Sequence, residues 1–146
     1  MGLLSKKFLN EAEEAQILAA IQEAEKDSSG EIRLHIEPYC KMDVMDRAAD
    51  LFGLLEMHKT ALRNGVLFYL AYEDHKFAIL GDGGINAKVP ANFWDEIRDT
   101  VTSEFKAKNY AEGLSKGIRM AGEQLSAQFP YQSNDKNELS DEISYG

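Results

Sequence analysis

The stretch of this sequence with the clearest capacity for chemistry is Gly81-Asp-Gly-Gly-Ile-Asn86. Three glycines in four positions let a backbone take positive φ and approach a ligand closely, and Asp82 is presented among them. An apolar strand-like segment precedes the turn and a helical pattern follows it. Two uses of such a position compete. It is either a tight strand-to-helix connection with a solvated carboxylate, or a place where oxygen atoms hold a hard cation. Carboxylate, amide and carbonyl oxygens with water suit Ca²⁺, with Mg²⁺ as the second candidate, rather than the softer metals.

The elements that must position Asp82 can be read from hydrophobic spacing. Asn10 with Glu13 predicts a capped helix start, with Leu9 at the staple position and an apolar stripe through Ile17, Leu18, Ile21 and Ala24. Ser28-Ser29-Gly30 ends that helix, with Gly30 expected at positive φ. The period then changes to two, with Ile32, Leu34 and Ile36 on one face of a strand and Arg33 and His35 on the other, up to Pro38. Asp43 caps a helix through Ala48, Leu51, Phe52 and Leu55. The run 66–72 is apolar on both faces, as in a covered central strand, and 76–80 returns antiparallel to it after a short turn. Helices follow at Phe93, Trp94, Ile97, Val101 and Phe105, and at Tyr110, Leu114, Ile118, Ala121 and Leu125.

A helical crossover between the first two strands makes them parallel. The expected fold is therefore α/β, a three-layer α/β/α sandwich around a small mixed sheet. One domain spans residues 1–130. The acidic tail, 131–146, carries four acidic residues and one lysine. It is expected either to move freely or to dock back on the sheet through Leu139, Ile143 and Tyr145. In this topology the end of the third strand lies beside the starts of the first two. Asp82 then shares a rim with Glu31 and Asn64, and the following helix brings Asn86, Asn92 and Asp95 toward it. The expected metal ligands are Asp82, Glu31, Asn64, Asn86 and Asp95.

Other constellations carry less. Glu37, Asp43, Asp46, Glu73 and Asp74 gather at the opposite end, but capping and turn formation account for Asp43 and Asp74. Gly81-x-Gly83-x-x-Asn86 fails the dinucleotide fingerprint at its last position. No Walker sequence, Gly-x-Ser-x-Gly elbow or His-Glu-x-x-His helix is expected, and residues 135–140 lack the glycine a calcium loop needs. Cys40 is the only cysteine, which excludes an intramolecular disulfide and a Cys-rich zinc site, and it reads as buried and neutral. His35 reads as a polar contact on the less buried sheet face, and His58 and His75 as surface residues. Phe93, Trp94 and Phe105 fall at core spacing.

With 25 acidic and 16 basic residues among 146, the net charge is -9. That field repels phosphate backbones and anionic lipid, so nucleic acid and membrane surfaces are excluded as partners. No apolar run approaches the ~20 residues of a membrane span, and the N-terminus lacks a secretory h-region. A monomer in a reducing, cytoplasmic setting is expected.

Gly30-Glu-Ile-Arg-Leu-His-Ile, Asn64-Gly-Val-Leu-Phe-Tyr-Leu, the glycine turn at 81–85 and Tyr110-Ala-Glu-Gly-Leu-Ser-Lys-Gly-Ile118 occur in the order and spacing of the TPM domain. The chain resembles the short, free-standing bacterial form of that family over residues 10–129. The resemblance implies an α/β/α sandwich and divalent cation binding, usually calcium, in an acidic groove near the glycine turn. For a plant member it also brings acid phosphatase activity. This chain departs from the family pattern in having Asp82 where an aromatic is usual, and Val89-Pro-Ala91 where an Asp is common. A cation-binding domain is the first functional expectation. A non-catalytic module engaging an unidentified protein partner and a metal-assisted phosphatase are the alternatives.

Overall fold

A computed structural model describes residues 8–130 and 141–146. The chain runs α1 (Glu11–Lys26), β1 (Glu31–Glu37), α2 (Val44–Leu54), β2 (Gly65–Ala71), β3 (Lys76–Gly81), α3 (Gly83–Asn86), α4 (Phe93–Lys106), α5 (Tyr110–Gln128) and β4 (Ser144–Tyr145). Asn10 and Glu13 form the expected capping box at α1, at 2.8 and 2.9 Å. Asp43 caps α2 by accepting the amides of Met45 and Asp46.

The sheet order is β3-β2-β1-β4. β1 and β2 are parallel, β3 is antiparallel to β2, and β4 is parallel to β1. Even-numbered residues of β1 and β2 (Ile32, Leu34, Ile36, Val66, Phe68, Leu70) pack with Ile17 and Ile21 of α1, Ile97 and Val101 of α4, and Leu114 and Ile118 of α5. Odd-numbered Leu67, Tyr69 and Ala71 pack with Ala48, Leu51 and Phe52 of α2. The three-layer α/β/α arrangement follows from this double burial, since every residue of β2 is inaccessible.

Three details differ from expectation or add to it. Gly30 does not take positive φ. It is instead a close approach, because a Cβ there would stand 2.6 Å from Leu125 Cδ2. The glycine turn contains a one-turn helix, α3, which is too short for hydrophobic periodicity to reveal. Of the tail, Ile143 packs on the main core and β4 extends the sheet, while Leu139 lies outside the described residues. Among the described residues no helix is long and apolar enough to cross a membrane.

Candidate functional site

Strand register builds the expected rim. Glu31 pairs with Gly65, Val66 pairs with Gly81, and the Asp82 amide donates to the Gly65 carbonyl at 2.9 Å. Glu31, Asn64 and Asp82 therefore stand side by side at one end of the sheet, all three buried.

Their side chains do different work. Asp82 accepts both Nε and Nη2 of Arg63, at 2.6 and 2.7 Å, and also the Gly83 amide at 2.8 Å as the cap of α3. Arg63 reaches it from a left-handed backbone, φ 52°. The fit of the turn against that loop explains Gly84, whose amide donates to the Arg63 carbonyl at 2.8 Å. A Cβ on Gly84 would lie 2.1 Å from the Leu62 carbonyl oxygen. Asn86 donates from Nδ2 to the Gly81 carbonyl at 2.8 Å and accepts Trp94 Nε1–H at 2.7 Å, tying α4 to the end of β3. Asp95 is exposed on α4 and pairs with Arg98 at 3.4 Å, while Asn92 donates to Glu96.

Asn64 and Glu31 stand otherwise. The Asn64 backbone accepts the Glu31 amide at 3.4 Å, and its Nδ2 donates to Ser29 Oγ at 3.4 Å. Its Oδ1 is buried and has no partner among the described residues, which ordinarily costs about 1–3 kcal/mol. Glu31 belongs to a carboxylate trio: one oxygen each from Glu25, Glu31 and Asp141 lie within 4.8 Å of one another. Glu25 comes from the last turn of α1 and accepts the Ile32 amide at 2.6 Å on the outer edge of β1. Asp141 arrives from the chain leading into β4. Burial foremost, then the hydrogen bond to Asp141, push the Glu25 carboxyl up to about 10, against the lowering effect of the Ile32 amide and with Glu31 adding to the rise.

Neither Glu25 nor Asp141 stands out in the sequence. For Glu25 a weak signal exists: a carboxylate in the last turn of a helix faces the negative end of the helix dipole and gains from a positive counterpart. Asp141 has none, because nothing local says where the tail returns.

The opposite rim is satisfied by the protein itself. Buried Glu37 accepts Arg47 Nε and Nη2, both at 2.9 Å, the Tyr69 hydroxyl, and His35 Nε2 at 3.1 Å. Burial alone would raise the Glu37 carboxyl, but Arg47, Tyr69 and His35 together bring it down to about 2. Burial holds the His35 imidazole below its ordinary value, and its Nδ1 meets Ser144 Oγ at 2.8 Å. Asp74 accepts the Cys40 amide at 2.7 Å, and Cys40 is buried. His58 and His75 are exposed.

The string Gly113-Leu-Ser-Lys-Gly117 does spell Gly-x-Ser-x-Gly. It runs through the middle of α5, where Ser115 is fully buried, so it is not an elbow that presents a nucleophile.

The family profile described as TPM domain (TPM_phosphatase) matches residues 5–124. The chain is similar to the BA42 protein of the psychrophilic bacterium Bizionia argentinensis, solved by NMR, with 46% identity, full coverage of both chains and a TM-score of 0.90. It also shares its fold with the N-terminal domain of the cg2496 protein of Corynebacterium glutamicum. That match has 13% identity, covers 90% of this chain and 82% of the other, and has a TM-score of 0.67. No curated protein sequence matches the chain significantly.

Proposed function

Because the chain belongs to the TPM domain family, we propose that it binds a divalent cation, Ca²⁺ in preference to Mg²⁺, on the rim formed by the starts of β1 and β2. The observation that carries this reading is the convergence of Glu25, Glu31 and Asp141. Three carboxylates so close together repel one another unless a proton or a cation intervenes, and a divalent ion turns that repulsion into attraction. Asn64 supports the reading from the same rim, since its buried Oδ1 is a neutral oxygen ligand of the kind calcium sites add to carboxylates. Asp82, Asn86 and Asp95 enter as framework. Asp82 is neutralised by Arg63, Asn86 is spent on Gly81 and Trp94, and Asp95 pairs with Arg98.

The test is a calcium titration of metal-free protein at moderate salt, followed residue by residue by NMR, with magnesium as comparison. The reading requires saturable shifts at Glu25, Glu31, Asn64 and Asp141. Diffuse, non-saturating shifts over the acidic surface describe a counter-ion atmosphere and defeat it.

A second reading, metal-assisted phosphomonoester hydrolysis, is favoured by the name of the matching family profile. A cation in this trio would offset phosphate charge and polarise the ester. Metal-dependent release of p-nitrophenol from p-nitrophenyl phosphate, lost in Glu31→Gln, supports it. Equal rates with and without the metal sink it.

A further inference from the structure

A cavity of about 360 Å³ opens between the β2–β3 turn and the junction of α4 with α5. Its walls are Leu70 of β2, Phe77 of β3, Phe105 of α4 and Tyr110 of α5, with Tyr72 just past the end of β2. Thr102, His75 and Lys106 complete it. Register explains the meeting: Leu70 pairs with Phe77, and both face the layer of α4 and α5. Because β3 is an edge strand, Phe77 is left half-buried.

The aromatic rings brace one another. Phe77 meets Phe105 edge-on, with centroids 5.4 Å apart, and Phe105 meets Tyr110 at 5.3 Å. Phe8 then joins Tyr110 to Tyr72, at 4.9 and 4.5 Å. Rings held by such contacts make a preformed slot, and its volume falls within the range of small-molecule sites, about 300–1,000 Å³.

Its polar groups are unspent, in contrast to those around Glu37. Among the described residues the Lys106 ammonium has no acidic partner, and the His75 ring and the Tyr72 and Tyr110 hydroxyls have no hydrogen bond. Lys106 and His75 are exposed and stand at the mouth, whereas the aromatic walls are half-buried. Lys106 lies in the last turn of α4, where the helix dipole favours a cation. The interior is therefore apolar and flat-sided, and the free charge at its edge is positive.

We propose that this cavity binds a small planar aromatic acid, with its ring among the aromatic walls and its carboxylate toward Lys106 and His75. The ring gains edge and stacking contacts as it leaves water, and the carboxylate gains the Lys106 charge and a ring N–H of His75. An aromatic cation would also suit the walls, but it meets Lys106 as a like charge. The site lies at the opposite end of β2 from the cation rim and shares no residue with it, so it stands or falls separately.

Three probes with one ring system separate these contributions: naphthoate, naphthylmethanol and naphthylmethylammonium, each titrated into the full chain and followed residue by residue by NMR. The proposal requires saturable shifts centred on Leu70, Phe77, Phe105 and Tyr110. Naphthoate should bind tightest, by about fivefold over the alcohol, the size of one partly exposed charge pair. Lys106→Met should erase that advantage and leave binding of the alcohol unchanged. Thr102→Trp fills the cavity from a helix position without removing a core side chain, and should abolish binding of both. Scattered or non-saturating shifts overturn the site, as does unchanged binding in folded Thr102→Trp. Equal affinity for naphthoate and the alcohol, or tightest binding of the ammonium, overturns the assignment of an acid.

Discussion

The two ends of the sheet handle buried acid in opposite ways. At the ends of β1 and β2, Glu37 is surrounded by donors from two other elements and the strand itself: Arg47 from α2, Tyr69 from β2 and His35 from β1. Its carboxyl falls to about 2. At the starts of the same strands, Glu25, Glu31 and Asp141 find one another, and the Glu25 carboxyl rises to about 10. The charged form of one acid is stabilised by the fold, whereas at the other end burial and the hydrogen bond to Asp141 favour the neutral form of Glu25. Arginine, tyrosine and histidine donors lower a buried carboxyl, whereas neighbouring carboxyls raise it.

The largest expected effect is at the completed end. Glu37 in the unfolded chain titrates near 4.5 and in the fold near 2. Its contribution is fully present above pH 4.5 and disappears as pH falls toward 2, amounting to about 3 kcal/mol over that window. Glu37→Gln should lower the urea unfolding free energy at pH 7 by about 2–3 kcal/mol and flatten that part of the acid limb. An acid limb identical to that of the unaltered protein would mean that Glu37 is not its source.

At the other end, calcium should stabilise the fold by about 2.7 kcal/mol when free ion reaches a hundred times the dissociation constant, and a chelator should reverse it. Thermal unfolding with and without CaCl₂ measures this. Glu37→Gln should leave that increment intact, whereas Glu31→Gln should remove most of it.

Two smaller effects sharpen the contrast. Asp82→Asn gives up the charge in the pair with a largely exposed Arg63, for about 1 kcal/mol in urea unfolding, and should leave calcium affinity unchanged. A large loss of affinity would return Asp82 to the ligand set. Glu25→Gln in metal-free protein at pH 7 should change stability by no more than about 1 kcal/mol, because the Glu25 carboxyl, pushed up to about 10, is already neutral there and the amide keeps an acceptor for the Ile32 amide and a donor toward Asp141. Substitution of an acid would then destabilise at one end of the sheet and leave the other nearly unchanged.

Most of the architecture was already legible in residue spacing. The Asn10–Glu13 capping box, the Asp43 cap, the period-two run of β1 and the double-faced apolar run of β2 each reflect forces acting within a few residues, so local pattern suffices to read them. The rim that joins Glu31, Asn64 and Asp82 could also be foreseen, because parallel and antiparallel connections determine which strand ends meet. Side-chain pairing could not. Arg63 reaches Asp82 through one left-handed residue, and α3 is a single turn without periodicity. Asp141 meets Glu25 only because β4 comes back across more than a hundred residues of chain to pair with β1. Composition and periodicity carry the forces that make elements; they hold no information about which oxygen is left facing which. That depends on strand register and on where the tail docks, and both arise from packing of the whole chain.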